Sequence, residues 1–320
     1  RKTLKPKTIK NYEALMKRLT TSAETEEKSD CVTLLVNTEQ RIKEINAVAN
    51  VSLRCSLYTA CLVYCDIFKG NQDLYKKIHP KYLEQKIIAQ ASYTKEKTKQ
   101  VKTEKEEEKW TDMKNLHQAR LNWEVLAKTS KGKKQVKASK NWLIASLYTV
   151  IPPRRNEYRS LVYIPITDDE EGVKFYKERE QFHKKHNTNL IYRLPTSPPT
   201  YKMILREYKT HPTYGDFEMM IDEEHPLYEP LAHYLKVSEV NVKENLMFPN
   251  GHGVVLNTAS WGRILNSVFK STGRKISSTM MRHIYISDKF KGDTPLQVRK
   301  DLAKMMGHQP TTAQLVYEKK

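Results

Sequence analysis

Residues 277–317 read SSTMMRHIYISDKFKGDTPLQVRKDLAKMMGHQPTTAQLVY. Apolar positions recur at helical spacing through Ser277–Lys289 and again through Leu296–Met306, which predicts two helices and a short third one from Thr311. Gly307 stands where a helix closes in the left-handed conformation, and Pro310-Thr311-Thr312 marks the next helical start. Three chemically capable side chains are strung along this scaffold. Arg282 lies inside the first helix, His308 follows the closing glycine 26 residues later, and Tyr317 comes another 9 residues on. Taken singly, Tyr317 reads as a packing tyrosine and His308 as a helix cap.

Upstream the period shifts. Ser160–Ile166, Asn189–Arg193 and Thr200–Tyr208 are β-rich and bounded by Pro, Gly, Asp or Asn, which predicts a small antiparallel sheet. Helical patterns flank it at Trp142–Val150, Glu229–Val237 and Thr258–Lys270. The lysine-rich run 128–140 (KTSKGKKQVKASK) reads as a solvated loop. Residues 1–94 read as a helical domain, with helices opening near Pro6, at Cys31–Asn37, at Thr38–Ala47, and over Val51–Phe68, where Leu53, Leu57, Cys61, Tyr64 and Phe68 form one stripe. Residues 95–109 (KEKTKQVKTEKEEEK) alternate charges and read as a linker, leaving 110–320 as a second domain. The expected class is mainly α with a small antiparallel β-sheet, an α+β chain.

The 320 residues suffice for two domains, and 56 Lys+Arg against 37 Asp+Glu leave a net charge of +19. That excess points to a partner rich in phosphates, nucleic acid first. Eighteen Tyr and four Trp beside only 10 Gly and 14 Pro exclude a disordered or collagen-like polymer. No stretch approaches the roughly 18 uncharged apolar residues of a membrane helix, and no secretory signal is visible, so a soluble intracellular chain with no membrane partner is expected. The chain begins at Arg1 rather than Met, and a trimmed start is expected. Cys55, Cys61 and Cys65 read as reduced core thiols, and no zinc-type ligand spacing occurs, so no metal site is expected.

The order Arg282, Gly307-His308, Tyr317 resembles the tyrosine recombinase family. Other boxes fall in step with it. IPPRRNEY at 151–158 resembles the family's first arginine box, usually written G-L-R-x-S-E, with Arg154 three residues before Glu157. Its double-proline form resembles the integrases of large eukaryotic DNA viruses, virophages and related mobile elements. YKTHPTYG at 208–215 resembles the hairpin carrying the family's lysine, here Lys209, and LKPKTIKNYEALMKRL at 4–19 resembles the helical core-binding domain. The resemblance implies a C-shaped clamp around double-stranded DNA and a homo-tetramer on recombination sites. It also implies strand exchange through a four-way Holliday junction, a 3′-phosphotyrosine intermediate, no ATP or metal cofactor, and work in the nucleus or cytoplasm of a host cell. Only Glu318, Lys319 and Lys320 follow Tyr317, so either the chain is cut short or assembly uses other surfaces.

The residue types suit that chemistry. Cleaving a phosphodiester without a metal needs fixed cations on its non-bridging oxygens, and Arg154 and Arg282 supply forks that stay protonated. A phenol with an ordinary pKa near 10 is a poor nucleophile, so Tyr317 needs a positive field or a base beside it. Lys209 can protonate the departing sugar oxygen, and His308 can orient the scissile phosphate. Where the family often has His three residues before the second arginine, this chain has Thr279, whose hydroxyl can bind phosphate but cannot act as a base near neutral pH. His283 points about 100° away from Arg282 on a helix and reads as a packing residue, and Arg155 as part of an ordinary basic turn. Two alternatives stay open: a type IB topoisomerase-like DNA-relaxing enzyme, and a non-catalytic DNA-binding protein on the same fold.

Overall fold

The computed structural model describes residues 4, 6–21, 31–167, 169–238, 240, 245–290 and 294–319. The expected trimmed start at Arg1 lies outside them. The chain divides into two units, Arg1–Lys99 and Gln100–Lys320. The charged stretch 95–109 is therefore not a separate linker: its first residues end a long helix of the first unit, and the rest is folded into the second.

The first unit contains α1 (Pro6–Thr21), α2 (Cys31–Val36), α3 (Thr38–Asn46), α4 (Val51–Tyr64) and α5 (Gln72–Thr98), with a tight turn of helix over Cys65–Gly70 between the last two. Asn50 and Asn71 cap α4 and α5 by accepting from the backbone N–H of Leu53 (2.9 Å) and Leu74 (3.1 Å). Leu57, Tyr58, Cys61 and Cys65 pack with Met16, Ile45, Phe68 and Tyr82 in one core. Among the described residues, Val51–Gly70 is the one stretch long and apolar enough by composition to cross a membrane, contrary to the expectation that none comes close. Its apolar stripe is spent on the core of this unit. The three described thiols are free, and burial pushes Cys61 up to about 12 and Cys65 up to about 11.

The second unit opens with α6 (Glu104–Glu107), α7 (Met113–Thr129) and α8 (Gly132–Thr149). The lysine-rich run is thus not a loop. It ends α7 and begins α8, and Gly132, at φ +58°, takes the left-handed conformation that starts α8. The chain continues through β1 (Val162–Pro165), α9 (Glu170–Lys185), β2 (Leu190–Arg193), β3 (Tyr201–Leu205), α10 (His211–Tyr214), β4 (Phe217–Ile221), α11 (Tyr228–Val237) and β5 (Asn245–Leu246). It ends with α12 (Thr258–Val268), α13 (Ser278–Lys289), α14 (Leu296–Met305), α15 (Pro310–Thr312) and a π-type turn over Ala313–Tyr317.

The chain is mainly helical with one small five-stranded sheet, ordered β4-β3-β2-β1-β5. The sheet is mixed rather than antiparallel. β1 and β2 run parallel, Val162 opposite Leu190 through Pro165 opposite Arg193, while the other pairings are antiparallel. A parallel pair needs a crossover, and α9 supplies it. The sequence hid that helix because its long charged face masks Phe175 and Tyr176, which pack on Ile164, Leu190 and Tyr192. The main core lies between the sheet and α8, α12 and α13, with Trp261 buried in it, while Trp142 is buried in a smaller cluster with Ala127 and Ala138.

Candidate active site

The end of α8 aims the arginine turn. Buried Trp261 donates from Nε1 to the Tyr148 hydroxyl (2.9 Å), which in turn donates to the Arg155 carbonyl (2.6 Å). This chain fixes the backbone of 154–155 from inside the core. Arg154 is 2% exposed and stacks its guanidinium on Tyr208 (4.8 Å) and Phe217 (4.0 Å). Arg282, on the second turn of α13, is 1% exposed and donates from Nη2 to the Met306 carbonyl at 3.1 Å. Ser277 caps that helix, accepting from Met280 N–H (3.2 Å), and Ser278 donates to Asn156 Oδ1 (3.0 Å), tying α13 to the arginine turn.

Two cations are thus held out of water near one another. Burial pulls the Arg282 pKa down to about 10 and that of Arg154 down as well, yet both stay charged at neutral pH. Among the described residues, Arg154 Nε and Nη1, Arg282 Nε, Glu157 Oε2 and His308 Nε2 have no hydrogen-bond partner. Buried donors on a cation are costly to leave unmatched, and a dianionic or monoanionic oxygen cluster such as a phosphate matches them.

The C-terminal residues converge on the same place. His308 N–H donates to the Ala303 carbonyl and Gly307 N–H to Lys304, which closes α14 with Gly307 at φ +68°. A Cβ on Gly307 would sit 3.2 Å from Thr210 Oγ1 and 3.4 Å from Arg154 Nη1, so glycine also permits this close approach. Tyr317 is 4% exposed, and its hydroxyl accepts from Arg155 Nη2 at 3.1 Å. The Arg282 guanidinium lies 5.0 Å from its ring centre and the His308 ring 4.6 Å from it. Burial, then the charges of Arg282, Arg155, Arg154 and Lys209, push the His308 pKa down to about 2, so this imidazole is neutral.

A small cavity lies beside these groups, lined by Arg155, Glu157, Lys209, Arg282 and His308 together with Tyr208, Thr210, Met306 and Gly307; Arg154 and Tyr317 adjoin its lining residues but do not line it themselves. Lys209 reaches it from an exposed loop, and Thr210 anchors that loop by donating to the Gly307 carbonyl at 2.8 Å. Lys209, Arg282 and His308 meet at the cavity, and Tyr317 and Arg154 join them through contacts with Arg155, Arg282 and His308 and through the approach of Arg154 to Gly307. Thr279 is exposed on the first turn of α13 and does not line the cavity. Among the described residues no cluster of His, Cys, Asp and Glu is arranged to hold a metal ion.

Several contributors were missed in the sequence. Arg155, read as an ordinary turn residue, is the arginine that meets the phenol; the doubled arginine was the signal, but its two members face differently only once the turn is built. His283 is buried as expected, with Nδ1 3.1 Å from the Tyr317 carbonyl and its ring 4.9 Å from the tyrosine ring. The former linker forms a strap across the tyrosine segment. Gln100 Nε2 donates to the Gln314 carbonyl (2.9 Å), and Lys319 Nζ bonds Glu106 Oε2 (3.2 Å) and the Val101 carbonyl (3.3 Å). A capping box between Thr103 and Glu106 shapes the strap, and that signal was legible as T-x-x-E. In comparisons with known proteins, no family model, curated protein or solved structure matches the chain.

Proposed function

We propose that this chain is a site-specific DNA recombinase of the tyrosine recombinase type, an integrase of a viral or mobile element that cleaves and rejoins DNA through a 3′-phosphotyrosine. The observation that carries the reading is the Tyr317 hydroxyl, which accepts from the Arg155 guanidinium while its ring lies against Arg282 and His308. A buried phenol set among arginines with unmatched donors is suited to attack on phosphorus and to little else. Arg154 and Arg282 grip the non-bridging oxygens, and Arg155 stabilises the phenolate. Neutral His308 donates one hydrogen bond to the phosphate. Burial and the surrounding cations hold it neutral, and the phenol proton is released to water. Lys209 protonates the leaving O5′. The wider reading is a C-shaped clamp of two domains on duplex DNA, a homo-tetramer exchanging strands through a Holliday junction, and action in the nucleus or cytoplasm of a host.

The test uses a pool of nicked duplexes randomised around the nick, so that cleavage traps the covalent adduct. A protein–DNA adduct formed by the native chain and lost in Tyr317→Phe supports the proposal, and sequencing the trapped DNA gives the preferred site. Duplex binding without adduct refutes it in favour of a non-catalytic DNA-binding protein. Relaxation of supercoiled plasmid with neither junction nor recombinant product refutes it in favour of a type IB topoisomerase-like enzyme.

A further inference from the structure

Lys209 sits on a loop that leaves the sheet after β3 and rejoins it at β4. An exposed lysine on such a loop is ordinarily free to wander. Here the loop is fixed at both ends and in the middle. At the near end, Asn189 is fully buried and uses its whole hydrogen-bonding capacity. Its Oδ1 accepts the backbone N–H of Arg206 and of Glu207, each at 2.8 Å, and its Nδ2 donates to the Glu157 carbonyl (3.0 Å) and to Ser160 Oγ (3.2 Å). A primary amide has two donors and two acceptor positions, so one side chain is saturated by bonds that join the lysine loop to the arginine turn.

The far end is closed by charge. Arg206, 2% exposed, donates from Nε to Asp216 Oδ2 at 2.8 Å and pairs through Nη2 with Glu180 of α9. Asp216 Oδ1 lies 2.9 Å from His211 Nε2, so both flanks of the loop meet at one carboxylate. In the middle, Thr210 holds the loop to Gly307, next to His308. A buried ion pair adds little net stability, whereas a polar network with most of its groups satisfied, here all of Asn189 and the Nε and Nη2 of Arg206 but not its Nη1, rigidifies what it joins. What this network joins is the loop whose single lysine lines the cavity.

We propose that Asn189 and the Arg206–Asp216 pair are positioning residues for Lys209, holding its ammonium where it protonates the leaving oxygen. The inference rests on the phosphotyrosine reading above. In the step, Tyr317 Oη forms a bond to phosphorus and its proton goes to water. The P–O5′ bond breaks, O5′ keeps the electron pair and takes a proton from Lys209 Nζ, and solvent then reprotonates the neutral amine.

Changing the leaving atom isolates that proton transfer. With sulfur in place of the bridging O5′ the leaving group is a thiolate, whose conjugate thiol has a pKa near 8.5 and needs no acid to depart. Single-turnover cleavage of nicked duplexes with oxygen or sulfur at that position is compared across variants. On oxygen, Lys209→Ala is expected to lose about 100-fold or more, as loss of a general acid does. Asp216→Ala, Arg206→Met and Asn189→Ser are expected to lose about 10- to 100-fold, the scale set by a misplacement of about 1 Å. On sulfur, all four are expected within about threefold of the native rate, because no acid is then required. Equal slowing of both substrates by the Asp216 and Arg206 variants overturns the proposal in favour of a role in folding or phosphate grip. Failure of sulfur to rescue Lys209→Ala overturns it as well. Asp216, at the partly exposed rim, serves where the buried Asn189 and Arg206 variants do not fold. Absence of any Tyr317-dependent adduct from the native chain on either substrate instead removes the underlying reading.

Discussion

Replacing Arg155 with alanine tests how the phenol is activated. Its Nη2 donates to the Tyr317 hydroxyl at 3.1 Å. The bond from this charged guanidinium to the neutral phenol contributes about 1.5–3 kcal/mol net, and it strengthens when the acceptor becomes phenolate. Bonding that is equal in ground and transition states does not change the rate, so only the gain on forming phenolate counts, about 1–2 kcal/mol. At 1.36 kcal/mol per factor of ten, Arg155→Ala is expected to slow covalent adduct formation by roughly 5- to 30-fold. Arg155→Lys keeps the charge but loses the fork, and it is expected to recover part of the loss. The measurement is a single-turnover quench on a nicked duplex at saturating protein, with duplex affinity measured alongside. A rate for Arg155→Ala within twofold of native, or a fall matched by an equal loss of affinity, refutes activation of the phenol by this guanidinium.

On the proposed reading, Arg154→Ala and Arg282→Ala should depress cleavage far more than duplex affinity, since each would be one phosphate contact among many for binding but a fixed transition-state donor for chemistry; equal losses in a paired gel-shift and cleavage experiment would contradict this. His308 is neutral in the fold but titrates near 6.5 when unfolded, so the unfolded chain binds the extra proton and stability falls as pH drops below about 6.5. Melting curves between pH 6.5 and 4 should show the native chain losing up to about 1.4 kcal/mol per pH unit relative to His308→Gln, and superimposable pH dependences would exclude it. Gly307→Ala places a Cβ at φ +68° against Thr210 and Arg154, and a loss of about 1–3 kcal/mol is expected by denaturant unfolding. Glu106→Gln removes the charged partner of Lys319; amide exchange over residues 313–319 should quicken relative to the sheet, and unchanged protection would show that this ion pair does not hold that segment.

The local chemistry of α13, α14 and the Gly307-His308 turn was legible because periodicity and a closing glycine are short-range signals. So was the gathering of Arg282, His308 and Tyr317, which lie on consecutive elements. The parallel pairing of β1 and β2 was not, since it depends on α9, whose charged composition conceals Phe175 and Tyr176. Spacing to Glu157 singled out Arg154 but left no part for Arg155: one stacks on Tyr208 and Phe217 and the other reaches the phenol, a distinction made by Tyr148 gripping one carbonyl. Asn189 carries no signal at all, because its four bonds go to groups 17 to 32 positions away along the chain.

The strap formed by Gln100, Val101 and Glu106 bears on whether, under the proposed reading, the tail stays with its own chain. It grips Gln314 and Lys319 with ordinary hydrogen bonds and one ion pair, all of which an identical strap on a neighbouring molecule would reproduce. A tail that leaves its own strap for another therefore loses and regains the same bonds, and contact energy does not choose between the two lodgings. On the proposed reading, crowding of copies on one stretch of DNA, together with the ordering entropy of a few residues, would set the balance. On the proposed recombinase reading, occupancy of the substrate would decide whether Tyr317 serves its own chain's site or a neighbour's.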